Sequence, residues 1–144
     1  MTRIDFYSLK EGSGGDRFLL TCRLAERIHL GEGLRIYIHV PDRPQAQDLD
    51  RLLWTYKEQS FLPHGLADQT DRELTPILIG HDGDPGNADQ VLINLSPEVP
   101  AFFSRFERLC EPVDQEPAIR AAGRERYRYY RERGYELHHH EIML

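Results

Sequence analysis

Apolar and polar residues alternate with period two from Arg3 to Leu9, and more cleanly across Leu34–Val40 (LRIYIHV), which Pro41 stops. Both segments predict strands. Lys10–Gly15 (KEGSGG) reads as the loop after the first of them. Asp16–Leu30 then places Phe18, Leu19, Cys22, Ala25, Ile28 and Leu30 near helical spacing, with Asp16 as N-cap and Gly31 and Gly33 closing the helix. A second helix is predicted over Gln45–Tyr56, with Leu49, Leu52, Leu53 and Tyr56 facing inward. Phe61–Pro63 reads as a short extended piece. Pro76–Gly80 and Val91–Leu95 are compact apolar strands joined by the turn-rich connector HDGDPGNADQ. A third helix is predicted over Pro100–Arg108, a short strand over Leu109–Val113, and a last helix from Pro117. Strands alternating with helices predict an α/β layer structure with a largely parallel sheet. Such sheets bind ligands beyond the carboxyl ends of their strands, here the loops after Leu9, Val40 and Gly80.

The last helix changes the picture most. In PAIRAAGRERYRYYRERG, residues Arg120, Arg124, Tyr127, Arg128 and Arg131 recur at i, i+4, i+7, i+8 and i+11 and share one face. Glu116–Arg133 holds six arginines against three glutamates, locally +3 in a chain whose net charge is −6. A basic face carrying an aromatic ring, on an acidic protein, suits a small anionic partner better than a long polyanion. Its bland alternative is a solvated helix laced by local Glu–Arg pairs. The acidic balance argues against broad nucleic-acid binding, which depends on a net basic surface.

A length of 144 residues fits one domain, 1–144, with a flexible His-containing tail expected at 136–144. The N-terminal MTRIDFYSLK carries no signal-peptide core, and no apolar run reaches membrane-spanning length. Cys22 and Cys110 in a cysteine-poor chain read as free thiols of a cytoplasmic protein.

Three motifs offer chemistry and are read as structure. Gly12-Ser13-Gly14-Gly15 misses the dinucleotide spacing and lacks the P-loop Lys, so it reads as a solvent loop rather than an anion cradle. His81-Asp82-Gly83-Asp84 reads as a turn, with metal or acid/base work as its rival. Adjacent His138-His139-His140 point alternately apart and do not converge on a metal. No G-x-S-x-G elbow is present, and no cofactor, metal or catalytic group is assigned. Trp54 and Phe61, which bracket TYKEQS, fit either core packing or a protein interface.

Four segments together resemble the chi subunit of bacterial DNA polymerase III. They are RIDFYSL, LDRLLWTYKEQSFLPHGLA, VLINLSPEVPAFFSRF and RERYRYYRERGYEL, and the resemblance covers essentially the whole chain. It implies a Rossmann-like fold without catalysis, acting as a clamp-loader accessory. It also implies two partners: the psi subunit, and through it the clamp loader, and the acidic C-terminal tail of single-stranded DNA-binding protein. The family's tail-binding positions fall on Arg124, Tyr127 and Arg128, and its psi-contacting aromatics on Trp54 and Phe61. Arg128 stands where better-known relatives carry lysine. Arg120 and Arg131 join the tail site from helical geometry alone. DNA would be reached only indirectly, and the isolated chain is expected to be a monomer. The alternative function is a small nucleotide- or metal-dependent α/β enzyme using Gly12–Asp16 and the Asp82/Asp84 loop.

Overall fold

Among the described residues seven short strands hydrogen-bond into one parallel sheet, and all of them but one edge strand are mostly buried on both faces. The computed structural model describes residues 1–59 and 61–144. The strands are β1 (Arg3–Leu9), β2 (Ile36–His39), β3 (His64–Leu66), β4 (Ile77–Gly80), β5 (Val91–Asn94), β6 (Arg108–Val113) and β7 (Leu137–Ile142), and their order across the sheet is β3-β4-β2-β5-β6-β1-β7. Three helices complete the chain: α1 (Arg17–Glu32), α2 (Arg43–Thr55) and α3 (Pro117–Glu132). Near-continuous apolar runs such as ILIG and VLIN are what a sheet covered on both sides requires. This is a Rossmann-like layered α/β fold.

One face is covered by α1 and α2. Leu20, Leu24, Ala25 and Ile28 of α1, with Ala46, Leu49 and Leu53 of α2, pack on Leu9, Ile36, Ile38, Ile77, Ile79, Val91, Ile93 and Cys110. The opposite face buries Ile4, Phe6, Tyr37, Leu78, Leu92 and Leu109 under Tyr130 of α3 and under Phe103 and Phe106. Asp16 caps α1 as expected, accepting from the N–H groups of Phe18 and Leu19. Gly33 ends that helix at φ 69°, a left-handed position that favours glycine. Gly80 is required for a different reason: a Cβ there would lie 1.7 Å from the Tyr37 hydroxyl.

Two expectations are corrected and one is refined. Pro100–Arg108 is not a helix: only Phe103–Arg105 makes a 3-10 turn, and Phe106 is already extended. The chain has to be extended by Glu107, because the N–H groups of Glu107 and Arg108 donate to the Asp89 and Gln90 carbonyls as β6 begins. The short edge strand begins only after the extended piece read at Phe61–Pro63, over His64–Leu66. Residues 137–142, expected within a flexible tail, form β7 instead, paired along the outer edge of β1 from Ile4↔Leu137 to Leu9↔Ile142.

Candidate functional site: an arginine and tyrosine face on the last helix

Pro117 occupies the first turn of α3, where its missing N–H costs nothing, and Gly134 at φ 82° follows the helix. The inward stripe is Gly123, Arg126 and Tyr130. That phase leaves Arg120, Arg124, Arg128 and Arg131 exposed and Tyr127 half-buried between them. The five expected residues therefore lie together on the outer flank of α3. Tyr127 is held edge-on against Phe6 of β1, ring centroids 5.2 Å apart, and Arg131 stands 6.0 Å from the Tyr127 ring. Arg128 donates to Glu125 at 3.2 and 3.3 Å. This is an exposed i, i+3 pair, so it weakens the face only slightly. Arg120 and Arg124 have no carboxylate partner among the described residues.

Arg126 belongs to the same motif but does something else. It is 5% exposed, and its Nε donates to Glu111 at 2.9 Å while its Nη1 donates to the Pro97 carbonyl at 3.0 Å. The fully buried Glu111 carboxylate also accepts from the Tyr130 hydroxyl at 2.7 Å and from Asn94 Nδ2 at 3.1 Å. Burial pushes the Glu111 carboxyl upward, opposed by the Arg126 charge and by these hydrogen bonds. Burial and the adjacent carboxylate raise the Tyr130 hydroxyl far above its ordinary value, so it stays a donor. The cluster bolts α3 to β5 and β6 and sets the rotation at which the outer stripe faces solvent. Sequence reading counted Arg126 with the basic residues and missed Glu111. The available signal was a lone acid inside the otherwise apolar LCEPV strand.

The second pair is exposed, not core: Trp54 at 52% and Phe61 at 80%. Trp54 ends α2 with its ring against buried His64, centroids 4.3 Å apart.

The remaining motifs do not assemble a reactive centre. The N-terminus of α1 is already served by Asp16 and by Asp114, whose Oδ2 accepts from the Arg17 N–H at 3.0 Å. Gln115 closes the Gly12–Gly15 loop by donating to the Lys10 carbonyl, and the Leu144 N–H donates to Ser13 at 2.9 Å. Asp82 and Asp84 accept from the N–H groups of Asp84 and Gly86, as turn residues do. His139 meets Ser8 at 2.9 Å, whereas His140 meets Asp5 at 2.8 Å and stacks on Tyr7. His138 pairs with Glu136, so the three rings diverge. No group of three metal-binding side chains is found among the described residues. Burial raises both thiols, Cys22 and Cys110, to about 12. Among the described residues no helix is long and apolar enough to cross a membrane.

Fold and site together define a parallel α/β protein that presents chemically distinct side chains on its outer surfaces. The model of the DNA polymerase III chi subunit family (HolC) matches residues 1–138, and the chain belongs to that family. It is 42% identical over 142 residues to the DNA polymerase III subunit chi of Pseudomonas aeruginosa, spanning 99% of this chain and 98% of that one. It is 31% identical to the Haemophilus influenzae subunit chi, spanning 92% of each, and 32% identical to that of Escherichia coli, spanning 82% and 80%. Its role therefore lies in DNA replication, as an accessory subunit of the polymerase III assembly.

Proposed function

We propose that this chain is an adaptor, acting by binding rather than by catalysis. The outer face of α3 would take the acidic C-terminal tail of single-stranded DNA-binding protein, and Trp54 with Phe61 would take the psi subunit. The clamp loader would thereby be tied to coated template. The observation that carries the tail reading is the pair of exposed guanidinium groups of Arg120 and Arg124, without a carboxylate partner among the described residues, beside a half-buried tyrosine. Carboxylates of the tail would meet Arg124 and Arg128 as planar forks, with Arg120 and Arg131 extending the charge. Tyr127 would seat an apolar terminal side chain. Ordering a disordered tail costs conformational entropy, so the expected affinity is roughly micromolar. It should weaken with salt, since the ion pairs are exposed.

The psi reading draws on the exposure of two large aromatics seven residues apart on a chain whose other aromatic rings are all buried or half-buried.

The test is calorimetric titration with a peptide of about the last ten residues of the organism's own single-stranded DNA-binding protein. Arg128→Glu should abolish binding without unfolding, because Arg128 is exposed and, among the described residues, bonds only to Glu125. Equal affinity of wild type and variant at low salt would refute the placement of the tail on this face.

A further inference from the structure

β7 closes one end of the sheet and pairs with β1 alone. The Ile142 carbonyl accepts from the Lys10 N–H at 2.9 Å, so the backbone groups of Ile142, and with it His140 and His138, turn inward to β1. Those of Leu137, His139 and Glu141 point outward, where no further strand lies among the described residues. Such an edge is a template for another chain, and proteins usually blunt it with a proline, a lysine, a bulge or brevity. The opposite edge strand, β3, has only three residues. β7 has six, with neither proline nor lysine, and its register with β1 runs unbroken.

α3 turns its basic flank toward this edge. Its inner stripe, Gly123, Arg126 and Tyr130, rests on the sheet, while Ala118 and Ala122 border a cavity with Asn94–Pro97 on the β5 side. At about 100° per residue, Arg120, Arg124, Tyr127 and Arg131 project from the other flank, and Glu125 and Glu132 fall outside it. On that flank Tyr127 meets Phe6 of β1, which stands in register with His139 of β7. The lengths agree as well. Arg120 to Arg131 rises about 1.5 Å per residue and Leu137 to Ile142 about 3.3 Å, so each spans roughly 16.5 Å.

We propose that the acidic tail binds in extended form as an added strand on the outer edge of β7. Its backbone exchanges hydrogen bonds with His139 and Glu141, and every second side chain turns toward α3, where carboxylates meet Arg124 and Arg131. Leu137, His139 and Glu141 share the α3 face of β7. Like charges directly opposite destabilise a strand pair, so the acidic residues lie beside Leu137 and His139 and not beside Glu141. The inference rests on reading the outer flank of α3 as the seat of the tail, and it adds that the main chain of the tail is recognised along with its charge.

The test is amide hydrogen exchange of the full chain, read by NMR at low salt with and without a saturating amount of the ten-residue tail peptide. In the free protein the His139 and Glu141 amides should exchange faster than those of His138 and His140. The peptide should slow His139 and Glu141 about tenfold and leave His138 nearly unchanged. Methylating one backbone nitrogen of the peptide should weaken binding about tenfold at alternate positions and little at those between. Binding that Arg128→Glu abolishes, but that leaves His139 and Glu141 unprotected in the wild type, would overturn the added strand while the helix seat stands. Protection that persists undiminished in Arg128→Glu would keep the strand and refute the helix seat. No binding to the wild type would overturn both.

Discussion

Replacing Arg126 by methionine isolates the charge that holds α3 in place. Methionine keeps most of the aliphatic stem, so packing is largely retained while the guanidinium is lost. Glu111 is fully buried and would keep only two neutral donors, the Tyr130 hydroxyl at 2.7 Å and Asn94 Nδ2 at 3.1 Å. Removing one partner of a buried ion pair costs about 3–5 kcal/mol, because the remaining charge is left uncompensated. At roughly 3 °C per kcal/mol for a chain of this length, the midpoint should fall by about 9–15 °C. The assay is urea and thermal unfolding followed by far-UV circular dichroism. Adding Glu111→Gln removes the orphaned charge and should recover about 1–2 kcal/mol, so the double variant should be more stable than Arg126→Met alone. A single-variant cost below about 1 kcal/mol, or a second substitution that adds to the loss, would refute the view that the cluster is an ion pair under low-dielectric load.

Two further outcomes follow from the buried titratable groups. Burial pushes the Asp5 carboxyl upward, but bonds from Arg3 and His140 and the charge of Arg108 outweigh it together, so its folded value is depressed. The stability it confers is therefore present above the unfolded value of about 3.9 and is lost as pH falls through the folded one. The midpoint difference between wild type and Asp5→Asn should be constant from pH 5 to 7 and shrink below pH 4; a difference that stays constant to pH 2 would count against it. Cys22 and Cys110, both buried with thiols raised to about 12, should resist a chromogenic disulfide reagent at pH 8 until urea is added. Stoichiometric labelling of the native protein would contradict their placement.

How far the sequence could be read depended on whether a residue's type announced its surroundings. β1 lies at its expected bounds, Arg3–Leu9, because alternation and burial agree there. α1 begins at its expected cap because an aspartate's carboxylate beside free N–H groups is a local event. The outer stripe of α3 was legible because 3.6-residue spacing alone decides which residues share a face. The inner stripe was not: an arginine reads as solvent-facing until the sheet beneath it is known to contain Glu111. β7 was hidden for a related reason. LHHHEI looks like a polar tail, yet an edge strand needs little apolar surface when its imidazoles bond to Asp5 and Ser8 of the neighbouring strand. Pro100–Arg108 failed in the opposite direction, since its aromatic spacing resembles a helix while Phe103 and Phe106 are placed by contacts distant in sequence.

The strand order gives the two proposed surfaces a spatial relation that neither has alone. Trp54, on α2, and Phe61, three residues before β3, lie at the β3 end of the sheet. The basic stripe belongs to α3, which covers the opposite face and packs on β6 and β7 near the other end. Six inter-strand spacings of about 4.8 Å separate the outermost strands, roughly 29 Å in all. Two partners seated at these places would not overlap, and neither would have to displace the other. Between them lie the fully buried cores of both faces and the Glu111 cluster, which fix α3 to the same sheet that carries β3. An adaptor that bridges two molecules needs two separated seats on one stiff body, rather than a cleft that closes around a substrate. A parallel sheet with a helix layer on each face provides that arrangement, and the polar cluster beneath α3 fixes the direction in which one seat faces.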